Sequence, residues 1–330
     1  MKKMMKFTAL TAVSACLVAA AGMTAMADDS YLVGICQLVQ HPALDAATEG
    51  FKDALKDELG DAVEFDEQNA AGDSATCSTI TNQFVSEGVD LIMANATPAL
   101  QAAAASTADI PILGTSVTDY ATALDIDDWT GTVGNNISGT SDLAPLDQQA
   151  AMLNELFPDV ETVGILYCSA EANSEYQAVN VQAALEELGY TVNKYTFADS
   201  NDVAQVTTTA CDENDVLYIP TDNTAASCTE TIKNIAVPAQ KAIVVGEEGI
   251  CEGCGIATLS ISYYDLGYTT GQMAAKILKD GEDITQMPVE FAPTFTKEYN
   301  AEICEELGLE MPADYVAIGA EEATTEAATE

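Results

Sequence analysis

The chain has 330 residues, enough for two domains of ordinary size. It carries 53 acidic against 11 basic side chains, a formal net charge of −42, and every basic residue is lysine. Such acidity repels nucleic acid and anionic lipid head groups, excluding both as partners, and the lack of arginine excludes a bidentate guanidinium clamp on a carboxylate or phosphate.

Met1 to Lys6 is a short basic stretch, followed by an apolar run from Phe7 to about Met23 and by Ala25-Met26-Ala27 before Asp28-Asp29. That order is expected of a secretory signal peptide over residues 1–27. An uncleaved membrane anchor is the alternative, because the run approaches spanning length. Val13-Ser14-Ala15-Cys16 also resembles a lipobox, which would leave the chain lipid-anchored through Cys16. Each option places the protein outside the cytoplasm. Cleavage after Ala27 removes three lysines and no acid, lowering the charge from −42 to −45.

From Tyr31 the pattern alternates strand and helix. Tyr31–Val39 is a continuous apolar run, as in a strand buried on both faces. His41-Pro42 opens a helix with Leu44, Phe51 and Leu55 on one side. A strand at Ala62–Phe65, a helix at Ser74–Glu87, strands at Leu91–Ala94 and Pro111–Gly114, and a helix from Thr97-Pro98 complete a first unit. The unit then recurs. Val33-Gly34-Ile35 returns as Val163-Gly164-Ile165, Leu91–Ala99 as Leu217–Ala226, and Pro111–Val117 as Ala242–Gly249. All three offsets are near 130 residues, so one βαβ scheme appears twice. The expected fold class is α/β, with two similar doubly wound parallel-sheet lobes joined by a three-crossing hinge.

Gly131–Ser141, rich in Gly, Asn, Thr and Ser, is read as the first crossing. Ile256–Tyr263 is read as a strand, Tyr264–Leu278 as a helix ended by Gly281, and Val289–Thr296 as one further strand. Lobe 1 is thus expected over 28–138 plus about 263–287, and lobe 2 over 139–262 plus about 288–318. Residues 319–330 are an acidic low-complexity tail, expected to be disordered.

Ligands of parallel α/β sheets sit at the carboxyl ends of the strands, so the residues just after each strand are the candidates. In the first copy these are Gln37, His41, Pro42, Asn95, Thr97, Thr115, Ser116 and Thr118, neutral groups beside helix N-termini that could cradle a carboxylate. In the second they are Asn173, Ser174, Thr221, Asp222, Asn223 and, from the pair Glu247-Glu248, Glu248. The acids among them could take an ammonium. A small zwitterion fits that asymmetry, gripped by Thr97, Thr115 and Ser116 on one side and Asp222, Asn223 and Glu248 on the other. Thr97, Asp119 and Asp222 equally suit helix caps.

His41 is the only histidine, which excludes a metal site with several His ligands and leaves one residue for any Ser-His-Asp or Cys-His unit. Neither an enzyme nor a cofactor is expected. Of nine cysteines, eight follow residue 27. They show no framework spacing, and Cys251-Glu252-Gly253-Cys254 is the only C-x-x-C, open to a local disulfide.

Gln37–Phe51, Asn95–Ala99, Thr115–Asp119, Gly139–Asp142, Tyr218–Thr224, Val245–Gly249 and Ile261–Gly267 together resemble the tryptophan/tyrosine-type ABC transporter substrate-binding family. The resemblance covers nearly all of the chain after residue 27. It implies a type I periplasmic-binding fold, a permease and its ATPase as partners, and an aromatic amino acid as ligand, with walls from Leu38, Val39, Pro42, Pro98 and Tyr263. A monomer is expected. A branched-chain amino acid, a peptide or a nucleoside remains an alternative ligand, and a sensor module for a membrane receptor an alternative role.

Overall fold

A computed structural model of the chain describes residues 30–319. The expected signal segment and most of the acidic tail lie outside the described residues.

The first sheet is built from β1 (Tyr31–Gln37), β2 (Val63–Asn69), β3 (Leu91–Asn95), β4 (Ile112–Val117) and β5 (Ile137–Ser141). Helices α1 (Pro42–Leu59), α2 (Ser74–Glu87), α3 (Thr97–Ser106) and α4 (Tyr120–Leu124) connect them. Next come α5 (Leu146–Leu156), β6 (Thr162–Cys168), α6 (Ala172–Glu187), β7 (Thr191–Phe197), α7 (Val203–Glu213) and β8 (Val216–Ile219). Two short helices, α8 (Asn223–Ala226) and α9 (Thr229–Ala236), lead to β9 (Ile243–Val245), α10 (Glu248–Gly253) and β10 (Ala257–Ser260). The chain returns to the first lobe as α11 (Tyr263–Asp280) and β11 (Glu290–Phe291), and ends in the second as β12 (Thr296–Tyr299), α12 (Ala301–Leu307) and β13 (Val316–Ala317).

Strand order is β11-β5-β4-β3-β1-β2 in one sheet and β13-β12-β10-β9-β8-β6-β7 in the other. The five-strand cores repeat the same 2-1-3-4-5 winding, and both reverse direction beside their first strand, where such sheets bind ligands. The duplication read from sequence is therefore a duplication of topology. Buried runs such as Val33, Ile35 and Cys36 explain the continuous apolar strands, since helices cover both faces.

Two boundaries differ from the sequence reading. Ile137–Ser141 is not a crossing but β5, paired to β4 in the first sheet, so the chain leaves that lobe only after Ser141. Glycine and hydroxyl residues made this strand look like a linker, yet all five of its residues are buried. Val289–Thr296 is not one strand. Glu290 and Phe291 pair with β5, whereas Thr296–Tyr299 pairs antiparallel with β10, so the third crossing splits it.

Helices α1 and α11 pack backbone to backbone. A methyl group at Gly267 would collide with the Ala47 carbonyl, and one at Gly50 with the Tyr264 carbonyl. Only glycine permits this approach. The result is a rigid pair that carries His41 at the start of α1 and Tyr263 at the start of α11.

Candidate functional site

The lobes meet around a narrow, mostly enclosed cavity. His41, Leu44, Ser116 and Thr118 line it from the first lobe, with Asp142 and Tyr263 from the crossings. Asn173, Thr221, Asp222, Asn223, Ala226 and Glu247 line it from the second.

Local chemistry fixes each group. Ser116 sits at φ +55°, a left-handed conformation that costs a serine about 1 kcal/mol or more, and its Oγ is buried without a partner. Asp142 follows β5; its Oδ2 accepts from Tyr263 Oη–H at 2.9 Å, while its Oδ1 has no partner. Burial pushes the Asp142 carboxyl above the usual carboxylate range. Asn173 donates Nδ2 to the Thr221 carbonyl and Ser174 Oγ, both at 3.2 Å, leaving Oδ1 unpaired. His41 Nε2 meets Asn223 Oδ1 at 3.2 Å, and its Nδ1 is unpaired.

Asp222 and Glu247 behave differently. Asp222 caps α8 through Ala225 N–H at 2.7 Å and accepts from Cys168 N–H at 2.6 Å. Glu247 caps α10 through Gly249 and Ile250 N–H at 2.7 and 2.6 Å. Burial pushes each up to about 7, with Glu171 adding to the effect on Asp222. No lysine lines the cavity. The ion pairs found, such as Lys52–Glu67 and Lys279–Glu58, lie at the surface.

Seven of the fourteen sequence candidates reach the cavity: His41, Ser116, Thr118, Asn173, Thr221, Asp222 and Asn223. The other seven do not. Gln37 and Asn95 are tied to α1 through Thr48, at 2.6 and 2.9 Å. Thr115 and Thr270 flank Thr140 in a buried hydroxyl chain linking β4, β5 and α11. Ser174 partners Asn173, and Thr97 starts α3 with its Oγ1 buried and unpaired. Pro42 and Glu248 instead line a separate hinge-side recess with Tyr264 and Glu298. The acid aimed at the cavity is Glu247, one residue earlier. Asp142 is not among the candidates, because the Gly, Ser and Thr residues before it read as a linker. Of the expected walls, Tyr263 lines the cavity, whereas Leu38, Val39 and Pro98 border an adjoining recess that shares Asn223.

The eight described cysteines are free thiols. Cys251 and Cys254 are both buried, and no group of three or more metal-ligating side chains occurs among the described residues.

His41 Nδ1, Asp142 Oδ1, Asn173 Oδ1 and the Ser116 hydroxyl thus cluster around one cavity without protein partners. Each buried group left unmatched costs about 1–3 kcal/mol.

The model of the ABC transporter substrate binding protein family matches residues 32–323. The chain is 36% identical over 266 residues to a tyrosine-binding protein of Clostridioides difficile strain R20291, covering 78% of this chain and 75% of that protein. It superposes with a TM-score of 0.82, at 33% identity, on the ABC domain of a Streptococcus pneumoniae protein solved in complex with L-Trp; the match covers 86% of this chain and 96% of that one. A ligand-free, open substrate binding protein of Clostridium difficile matches at 37% identity over 87% of this chain and 99% of that chain, with a TM-score of 0.66. The chain belongs to the ABC transporter substrate binding protein family.

Proposed function

We propose that the protein captures an aromatic amino acid in the interlobe cavity, outside the cytoplasm, and delivers it to a membrane permease driven by an ATPase. One observation carries the reading: Asp142 Oδ1, Asn173 Oδ1 and His41 Nδ1 are three unpaired, buried groups around a cavity with no protein cation. A primary ammonium offers three N–H donors and one positive charge, which answers that set.

Asp142 is the charge partner of this ammonium. Asp222 already serves two backbone N–H groups of its own lobe and shapes the cavity wall. The ligand carboxylate takes Ser116 Oγ, which is buried and unpaired. The side chain runs toward Leu38, Val39 and Pro98. Burying an aromatic ring there would contribute roughly 4–6 kcal/mol.

The comparisons support the closed, ligand-holding geometry. The relative described as open is more identical in sequence yet superposes less well than the L-Trp complex, at TM-scores of 0.66 and 0.82. The experiment is a calorimetric screen of the twenty amino acids against the purified protein. Saturable binding of L-tryptophan, L-tyrosine or L-phenylalanine is expected. Binding of aliphatic amino acids alone, or of none of the twenty, would refute the reading.

A further inference from the structure

Closing two lobes around a ligand needs something to hold them shut, and the structure is sparing with such contacts. Among the described residues, the pairing of His41 Nε2 with Asn223 Oδ1 at 3.2 Å is the one side-chain hydrogen bond that spans the cleft away from the crossings. Its two ends lie 182 residues apart, at the starts of α1 and α8.

The far end is held rigidly. Glu171 Oε2 accepts from Asn223 Nδ2 at 2.6 Å and from Asn223 N–H at 3.2 Å. Its Oε1 accepts from Thr224 N–H at 2.9 Å and Thr224 Oγ–H at 2.7 Å. Turning the Asn223 amide over would set its oxygen against the carboxylate, so Oδ1 must face His41. The imidazole must then donate from Nε2, which makes Nδ1 a bare acceptor inside the cavity.

We propose that His41, Asn223 and Glu171 form the latch of the closed cleft, with Glu171 as its positioning residue, and that acid releases it. The proposal rests on the amino-acid reading for what the cavity holds, but not for how the cleft is held. A second proton on His41 would sit on Nδ1, aimed at the ligand ammonium, and would turn an acceptor into a repelling donor.

The groups facing His41 are Asp45 on its own helix, Asp142 after β5, Glu171 before α6, and Asp222 and Glu247 before α8 and α10. These carboxylates favour the imidazolium. Burial opposes it more strongly, and His41 is held below the usual imidazole range when the cleft is closed. The sign follows. Closure is fully supported above the ordinary midpoint of about 6.5 and loses support as pH falls through it.

Because the chain has a single histidine, nitrogen NMR of protein carrying labelled histidine reads this residue alone. With L-tryptophan or L-tyrosine saturating the protein at pH 8, the Nε2–H tautomer is expected, with a titration midpoint about one pH unit or more below that of unliganded protein. Glu171→Gln, similar in shape, should mix the tautomers and speed ligand release roughly tenfold. An Nδ1–H tautomer in the saturated protein, or an unchanged tautomer balance and release rate in Glu171→Gln, would overturn the latch.

A locked form separates this from the ligand assignment. A Cβ built on Gly249 lies 3.4 Å from Pro42 Cβ across the cleft, close to the span of a disulfide. Pro42→Cys with Gly249→Cys, oxidised with dissolved oxygen and a copper catalyst, joins the lobes without ligand. If no amino acid binds, the functional reading fails while the latch still predicts the Nε2–H tautomer and depressed midpoint in the locked protein. A free-imidazole titration there would sink the latch by itself.

Discussion

The two lobes share one winding but come to the cavity in different states of readiness. The second lobe's acids are already spoken for: Asp222 and Glu247 each hold backbone N–H groups of a helix they cap. The first lobe and its crossings present groups with nothing to bind, namely His41 Nδ1, Ser116 Oγ and Asp142 Oδ1. Asn173 Oδ1 is the second lobe's one such atom among the cavity-lining residues. The same residue type therefore does different work on the two sides. An acid at a strand end can build the wall or grip the ligand, and its hydrogen-bond inventory tells which.

Exchanging acids tests that contrast most severely. Asp142→Ala removes the charge partner and should cost roughly 3 kcal/mol in amino-acid affinity, about a hundredfold, with melting little changed. Asp222→Ala should do the reverse, losing about 1–2 kcal/mol of fold stability with its cap and less in affinity. Calorimetry and thermal melts on the pair decide the point; equal affinity losses would erase the contrast.

Acidity sharpens it. Burial pushes the Asp222 and Glu247 carboxyls up to about 7, with Glu171 adding to the effect on Asp222, and it raises Asp142 as well. An ammonium favours their charged forms, so binding expels protons. Affinity should climb between pH 5 and 7, by up to about tenfold per unit for each proton lost, and flatten above. Stability of the empty protein should run the other way. A carboxyl that holds its proton when folded and loses it when unfolded favours the fold below its folded midpoint, so the empty protein should melt higher at pH 5 than at pH 8. Lower self-repulsion at acid pH acts in the same sense, and His41 opposes it. Parallel pH profiles for affinity and melting would contradict this.

Smaller effects mark the edges of the site. Tyr263→Phe deletes the hydroxyl that orients Asp142 and should weaken binding by about 1 kcal/mol, roughly fivefold. Glu248→Ala, facing the hinge-side recess, should change affinity by less than about twofold. Titration calorimetry measures both, and a larger loss for Glu248 than for Tyr263 would move the site.

Most of the fold was legible because buried parallel strands write themselves as apolar runs, and because the Val-Gly-Ile and Leu91/Leu217 segments recur at one offset. What escaped was β5. Ser138, Gly139 and Thr140 look like a linker, but Ser138 and Thr140 are buried and bonded to Met287 and Thr270 from the returning chain, which no local pattern announces. Asp142, which follows that strand, is equally unannounced. The Glu247-Glu248 pair shows the finer limit. A strand end marks the loop, but which of two neighbouring side chains turns inward depends on the capping geometry of α10. Gln37 and Asn95 looked like donors for a ligand and instead satisfy each other's surroundings through Thr48. Half the candidates reached the cavity because strand ends identify loops, while hydrogen-bond competition selects atoms.

The most direct test is a crystal structure of the protein grown with L-tryptophan or L-tyrosine. The ligand's ammonium nitrogen is expected within hydrogen-bonding reach of the Asp142, Asn173 and His41 acceptors, and its carboxylate at Ser116. A ligand seated with its carboxylate toward Asp142, or held outside this cavity altogether, would contradict it.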